Sequence, residues 1–533
     1  MHMIRTLLAV PFLFLPLAGQ DQNATAPRTS ETTGPAVQDG KTYDELLEDV
    51  ADDDARKRRV AVRRLSELGT PKAWERVLER LADPDAQVAD EAQLRVADLT
   101  DDELWEDLVF GKLGTGHKDP LVRRRVLEAL GRANAPLDVR TVVGLFKERD
   151  LEARRLLAFS LERLAAADGA GIGRIDDEGR TELVETLLRL ASKEKDGGLR
   201  AAALLAAQRV EALVTPAAPL SRELAEDLLR KSKDTPAMVG ALAALGRSAD
   251  DAALALCVAA IGDEALAVRL QVVDSLFSAR NRTAARGLVT VLESEPVPAV
   301  ARRAVNALQR FSGLKFRTDP RPWRDWAEAL SEDWAPEDRN LEGRGDGAGD
   351  ESTVTKLVGL PIRSDRLAIL IDMSGSMWQS RPDGRKTKDL VDVEVRRCLE
   401  GLPESARFNL VPYATEPGPY ADELVAASPK KVAKALEWFE ENEQRGKGNV
   451  WDAIEVALAD PDVDTLVVMT DGAPTGGPHW NLELMVPLLL ERNRFRHVTF
   501  DVLLTETSGG LVRHWEALSE ATGGTCLEVS FDE

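Results

Sequence analysis

Apolar residues recur at every fourth position in a series of short stretches through the first part of the chain. The plainest copies lie at 122–130, 268–276 and 300–308, where Val122, Val126 and Leu130, then Val268, Val272 and Leu276, then Val300, Ala304 and Leu308 each mark one face of a helix. Several copies follow an acidic turn, such as Asp83-Pro84-Asp85 or Asp119-Pro120, which is a helix N-cap signal. The closing apolar position returns at Leu65, Val96, Leu130, Leu161, Ala207, Leu245, Leu276 and Leu308, in steps of 31, 34, 31, 46, 38, 31 and 32 residues. A period near this length, built from paired helices, predicts an α-solenoid over 43–331. The longest step holds Asp168-Gly169-Ala170-Gly171-Ile172-Gly173, read as an insertion between helices because no strand precedes it. Phe316, Trp323 and Trp326 either cover the open end of the last repeat or form an exposed aromatic patch.

From Arg366 the pattern changes to continuous apolar runs alternating with amphipathic stretches. Strands are expected at 367–371, 408–413, 466–470, 498–504 and 525–529, and helices near 388–402, 429–441, 450–458, 482–492 and 511–521. That alternation predicts a doubly wound, Rossmann-like α/β domain over 355–533. An acidic, Gly-rich stretch at 332–354 reads as a flexible linker, its Arg344-Gly345-Asp346 triplet included. At the other end, Arg5 and the apolar run 7–17 before Ala18-Gly19-Gln20 read as a signal peptide over 1–20, followed by a polar tether over 21–42. The apolar run is too short for a stable membrane span.

Two of the expected strands end in carboxylates. Asp372-Met373-Ser374-Gly375-Ser376 follows the run 367–371, and Asp471 follows 466–470. In an open α/β sheet the functional crevice lies beyond the carboxyl ends of the strands, at the point where strand order reverses. Asp372, Ser374, Ser376 and Asp471 brought together there would make an all-oxygen site, suited to Mg²⁺ rather than to Zn²⁺ or copper. The alternative is a metal-free domain in which Ser374 and Ser376 only cap the following helix. Arg381, Arg385, Lys386 and Lys388 are read as either a solvated loop or a basic rim that steers an acidic partner.

These residues resemble the von Willebrand factor type A domain and its metal-ion-dependent adhesion site, over roughly 366–529. Asp372, Ser374 and Ser376 match the first element, Thr470-Asp471-Gly472-Ala473-Pro474-Thr475 matches the last, and Gly523-Gly524 precedes a final strand as in that family. The resemblance implies a protein partner that offers a carboxylate to Mg²⁺, with Mn²⁺ or Ca²⁺ as substitutes. One element departs from the pattern. The middle loop reads Gly446-Lys447-Gly448-Asn449, with Gly448 where the family places a metal-binding Thr, so weakened binding is expected. Asn449, His479 and Trp480 are the candidates for the rim or outer sphere of the site. The Asp…Val-Arg-x-x-Val…Leu rhythm of the helical part resembles HEAT repeats, which implies a binding scaffold.

Composition narrows the function classes. A formal net charge of −22, or −23 once Arg5 leaves with the signal, argues against nucleic acid as a partner. Cys257, Cys398 and Cys526 are too few and too scattered for a disulfide framework; buried free thiols are expected, with a Cys398–Cys526 bridge as the alternative. The five histidines show no zinc-hydrolase spacing, and Gly384-Arg385-Lys386-Thr387 fails the phosphate-loop pattern. No residue set recommends a reaction. The expectation is an exported, non-enzymatic interaction protein, whether periplasmic, secreted or at the cell surface. It would bind through a Mg²⁺-dependent site and through the repeat surface. A metal-independent scaffold with a decayed site, or an accessory subunit of an exported enzyme complex, are the alternatives.

Overall fold

A computed structural model of the protein describes residues 42–133, 137–166, 172–215, 219–337, 354–381, 384–505 and 509–529. The signal peptide, most of the tether and linker, and most of the Gly-rich insertion lie outside these residues.

The acidic turns act as expected. Asp54, Asp85, Asp119, Asp196 and Asp234 each accept a backbone N–H in the first turn of the helix that follows. These five helices and three more form a row, Ala55–Leu68, Ala86–Ala97, Pro120–Leu130, Leu151–Ala166, Gly197–Glu211, Thr235–Ser248, Leu266–Ala279 and Pro298–Ser312, each packed on the next. A second layer, including Tyr43–Val50, Asp177–Lys193, Leu220–Lys231 and Arg282–Ser294, covers the other side. All eight closing apolar positions, from Leu65 to Leu308, are fully buried in one continuous core. Arginines early in the helices fork onto the acidic turn of the next repeat: Arg58 on Asp83, Arg124 on Asp150 and Arg155 on Asp196, each through two hydrogen bonds. Planar two-point pairing of this kind fixes orientation as well as adding energy. It therefore locks the angle between successive repeats.

The aromatic segment closes the array. Trp323 is fully buried and donates its indole N–H to the Arg317 carbonyl at 2.7 Å. Phe316 and Trp326 meet Trp323 edge-on at 5.1 and 6.0 Å, and Trp334 adds to the cluster. The result is an α-solenoid with a sealed end.

The C-terminal domain is a six-stranded sheet in the order β5-β4-β3-β6-β7-β8: β3 Arg366–Asp372, β4 Arg407–Tyr413, β5 Val425–Ala426, β6 Thr465–Thr470, β7 Thr499–Thr505 and β8 Cys526–Val529. All pairs are parallel except β4 with β5. Helices cover both faces and give two separate cores. A short hairpin, β1 Thr355–Leu357 and β2 Leu360–Ile362, stands apart from the sheet. It turns through Val358 and Gly359, both at positive φ. Cys257 and Cys398 are buried free thiols, so Cys398 forms no bridge to Cys526.

The two parts of the chain are in contact, and the helix row of the repeats is the contacting face. Leu488 and Phe495 of the α/β domain pack against the solenoid core. Arg494 reaches Glu162 through two hydrogen bonds of 2.7 and 2.8 Å, and Arg247 joins the same carboxylate. Arg492 pairs with Glu152, and His497 Nε2 lies 3.0 Å from the Gln271 amide oxygen. Part of the inner row is thus occupied by the chain's own C-terminal domain, a contact on which the sequence was silent. Among the described residues, no helix is long and apolar enough to cross a membrane.

Candidate metal centre

Strands β3 and β6 are neighbours on opposite sides of the sheet's switch in strand order, paired from Leu367↔Thr465 to Ile371↔Met469. Asp372 therefore ends β3 beside Asp471, which follows β6. Asp372 is buried, and its Oδ1 accepts the Ser374 amide at 2.7 Å. Tyr413, at the end of β4, is also buried, and its hydroxyl donates to the Met469 carbonyl at 3.3 Å. Burial pushes the Asp372 carboxyl up to about 6, and the charge of Asp471 adds to the rise. Hydrogen bonds from Ser374 and Tyr413 pull the other way without cancelling it.

Ser374 is buried, and Ser376 lies in the 3₁₀ turn Gly375–Trp378. The next α-helix starts only at Thr387, and Asp389 accepts the Lys386 amide at its start. Lys388 is not part of a basic rim. It is buried against Phe439 and pairs with Asp392.

Two carboxylates side by side, one of them raised by burial and by the other's charge, suit a divalent cation. The remaining donors are hydroxyls and amides. Among the described residues no group of three or more His, Cys, Asp or Glu side chains comes together as a metal-binding cluster. The described donors fit Mg²⁺ or a similar hard ion, with Asp372, Ser374 and Asp471 as the residues that would hold it.

The von Willebrand factor type A domain family matches residues 365–525. The C-terminal domain is a von Willebrand factor type A domain. Over 131 residues the chain is 29% identical to human (Homo sapiens) inter-alpha-trypsin inhibitor heavy chain H4, covering 22% of this chain and 13% of that protein. Over 123 residues it is 28% identical to heavy chain H2 of Sus scrofa, covering 21% of this chain and 12% of that one. The matched part spans about an eighth of the length of these relatives.

Within the type A domain, the loop carrying Gly448 is joined to the loop after Asp471. Gly448 N–H donates to Thr475 Oγ1 at 2.6 Å, while the Thr475 and Gly476 amides donate to the Gly448 carbonyl at 3.0 and 3.2 Å. Asn449 braces this junction rather than facing a ligand. Its Oδ1 caps the helix Val450–Ala459, and its Nδ2 donates to Thr415 O and Asp452. Gly477, at φ 83, is required here: a Cβ on it would lie 2.0 Å from Asn449 Oδ1.

His479 and Trp480 turn toward the repeats instead of the metal site. His479 is buried, edge-on to Trp451 at 4.4 Å, with Nδ1 3.6 Å from Asp90. Burial lowers the imidazole pKa, against the pull of the Asp90 carboxylate beside it. Trp480 lies under Arg59 at 5.1 Å. Arg125 donates to the Pro478 carbonyl and to Asp90 Oδ1. The ten-residue loop from Asp471 to Trp480 thus runs from the metal site to the solenoid. Sequence reasoning did not assign Thr475, Tyr413, Asp90 or Arg125 to this region. Only Thr475 carried a signal, as the last residue of the motif after β6.

Proposed function

We propose that this is an exported, non-enzymatic protein-interaction chain whose type A domain binds a partner carboxylate through Mg²⁺ held by Asp372, Ser374, Ser376 and Asp471. The observation that carries this reading is the pairing of Asp372 with Asp471 at the ends of adjacent parallel strands, one carboxyl raised by burial and by the other's charge. A divalent ion relieves that repulsion and keeps a position for a further oxygen ligand. The ion supplies charge neutralisation; Asp372 and Ser374 are pre-positioned by their own hydrogen bond. The similarity to proteins named as heavy chains of an inter-alpha-trypsin inhibitor supports a protein-interaction role, and residues 1–20 read as a signal for export.

Gly448 favours a second reading, a scaffold that binds its partner without metal. Thermal unfolding of the full chain separates the two. A ligand at 100 times its Kd stabilises by about 2.7 kcal/mol, a shift on the order of a few °C. The metal reading expects that shift with Mg²⁺ or Mn²⁺, its reversal by EDTA, and its loss in Asp372→Ala. No shift at millimolar ion in the wild-type chain would favour the scaffold.

A further inference from the structure

The space that Gly448 leaves open is lined by oxygens. A Cβ at this position would lie 3.1 Å from Asp372 Oδ2, 3.6 Å from Asp372 Oδ1 and 3.4 Å from Thr475 Oγ1. Three oxygens from two separate loops therefore converge on the point where a side chain at 448 would begin. We infer that Thr475 supplies the hydroxyl that the Gly446–Asn449 loop lacks, so that Asp372, Asp471 and Thr475 together serve a divalent cation. This inference rests on the metal reading proposed above.

Thr475 is held for that role by the backbone. Its hydroxyl accepts the Gly448 N–H at 2.6 Å, and its own amide donates to the Gly448 carbonyl at 3.0 Å. A hydroxyl has two lone pairs and one proton. One lone pair is used by the Gly448 amide, which leaves a lone pair for the ion and a proton for a carboxylate. The residue is solvent-exposed, as a ligand at the open side of a site must be. Glycine at 448 is then the residue that admits this arrangement. A side chain at 448 would begin in the same oxygen-lined space, beside the Asp372 carboxylate. A small hard cation accepts alcohol and carboxylate oxygens and completes its shell with water.

The test is Mn²⁺ and Mg²⁺ titration of the full-length chain by calorimetry, for wild type, Thr475→Val, Thr475→Ser, Gly448→Thr and the double variant Gly448→Thr/Thr475→Val. Loss of an outer-sphere partner commonly costs 10–100-fold in metal affinity, so Thr475→Val, which removes a direct ligand, should weaken binding at least about tenfold. Thr475→Ser should stay within about threefold of wild type. The double variant decides between ligation and loop bracing. It cannot remake the Gly448 N–H···Oγ1 bond, but it offers a new hydroxyl at 448, so recovery of affinity marks the oxygen as the ligand. Wild-type binding with Thr475→Val unchanged overturns this inference alone. Wild-type binding lost in Thr475→Val and not recovered in the double variant also overturns it, in favour of bracing. No binding by wild type overturns the metal reading and this inference together.

Discussion

Asp90 of the helical repeats accepts backbone hydrogen bonds from both Trp480 and Asn481, each at 2.7 Å, across about 390 residues of sequence. Asn481 caps the helix Leu482–Asn493, so a carboxylate from one domain sits at the positive end of a helix in the other. Burial alone would raise the Asp90 carboxyl. His479 and Arg125 outweigh that and hold it at about 2, so it is charged at any ordinary pH.

Asp90→Asn should therefore be strongly destabilising. It leaves the Arg125 guanidinium, whose side chain is 2% exposed, without its counter-ion. Breaking one side of a buried ion pair costs about 3–5 kcal/mol. The urea midpoint of the full chain should fall accordingly. An unchanged midpoint would mean the two domains do not rest on this contact.

The interface should also weaken in acid, in two stages. His497 is held down at about 4 by burial, well below its ordinary 6.5. The folded state excludes a proton that the unfolded chain binds below 6.5, so this stabilisation is complete above that pH and fades as pH falls toward 4. His479 is lowered in the same direction. Burial would raise Glu162, but Arg494 and Arg247 hold it at about 2; its contribution is present above 4.5 and fades as pH falls toward 2. Glu491, beside the same Arg494, is pushed by burial up to about 7 and acts oppositely, its stabilisation fading as pH rises through 7. His497→Gln should flatten the stability–pH curve between 4 and 6.5 by up to about 3 kcal/mol. The readout is urea unfolding at a series of pH values.

Gly477→Ala should loosen the loop that joins the candidate metal site to the repeats. The new Cβ meets Asn449 Oδ1 at 2.0 Å, and φ 83 is strained for any L side chain. A cost of about 1–3 kcal/mol is expected, read as a lower thermal midpoint. Gly375→Ala is the control, since a Cβ there meets nothing within 4 Å.

At the far end of the repeats, Trp323→Ala should cost about 3–5 kcal/mol by opening a cavity in the aromatic cap. Chemical denaturation measures it, and the loss should concentrate in the last repeat, because solenoid units couple to their neighbours.

Much of this architecture was legible before the structure, for a physical reason. The strands that carry the site are buried on both faces, so they appear as continuous apolar runs, and β3, β4 and β6 begin within one residue of their expected starts. The hairpin β1–β2 and the two-residue β5 are too short to produce a period. The inner face of the solenoid was hidden differently. Asp90, Arg125 and Glu162 look like ordinary charged residues on amphipathic helices, yet each is buried and bonded to the second domain. Thr475 was visible in its motif, but its contact with Gly448 depends on the folding of two distant loops. Local periodicity carries no record of such pairings.

The row of helices that holds the type A domain meets it largely through ions and amides: Asp90, Arg125, Glu152, Glu162 and Gln271. Chains emerge from the ribosome N-terminus first, and exposed apolar surface on an unfinished chain invites aggregation. Repeats that wait for their filling domain with carboxylates and guanidiniums on display can stay hydrated until it arrives. The same polarity that makes the joint sensitive to acid lets the first half of the protein be made before the second.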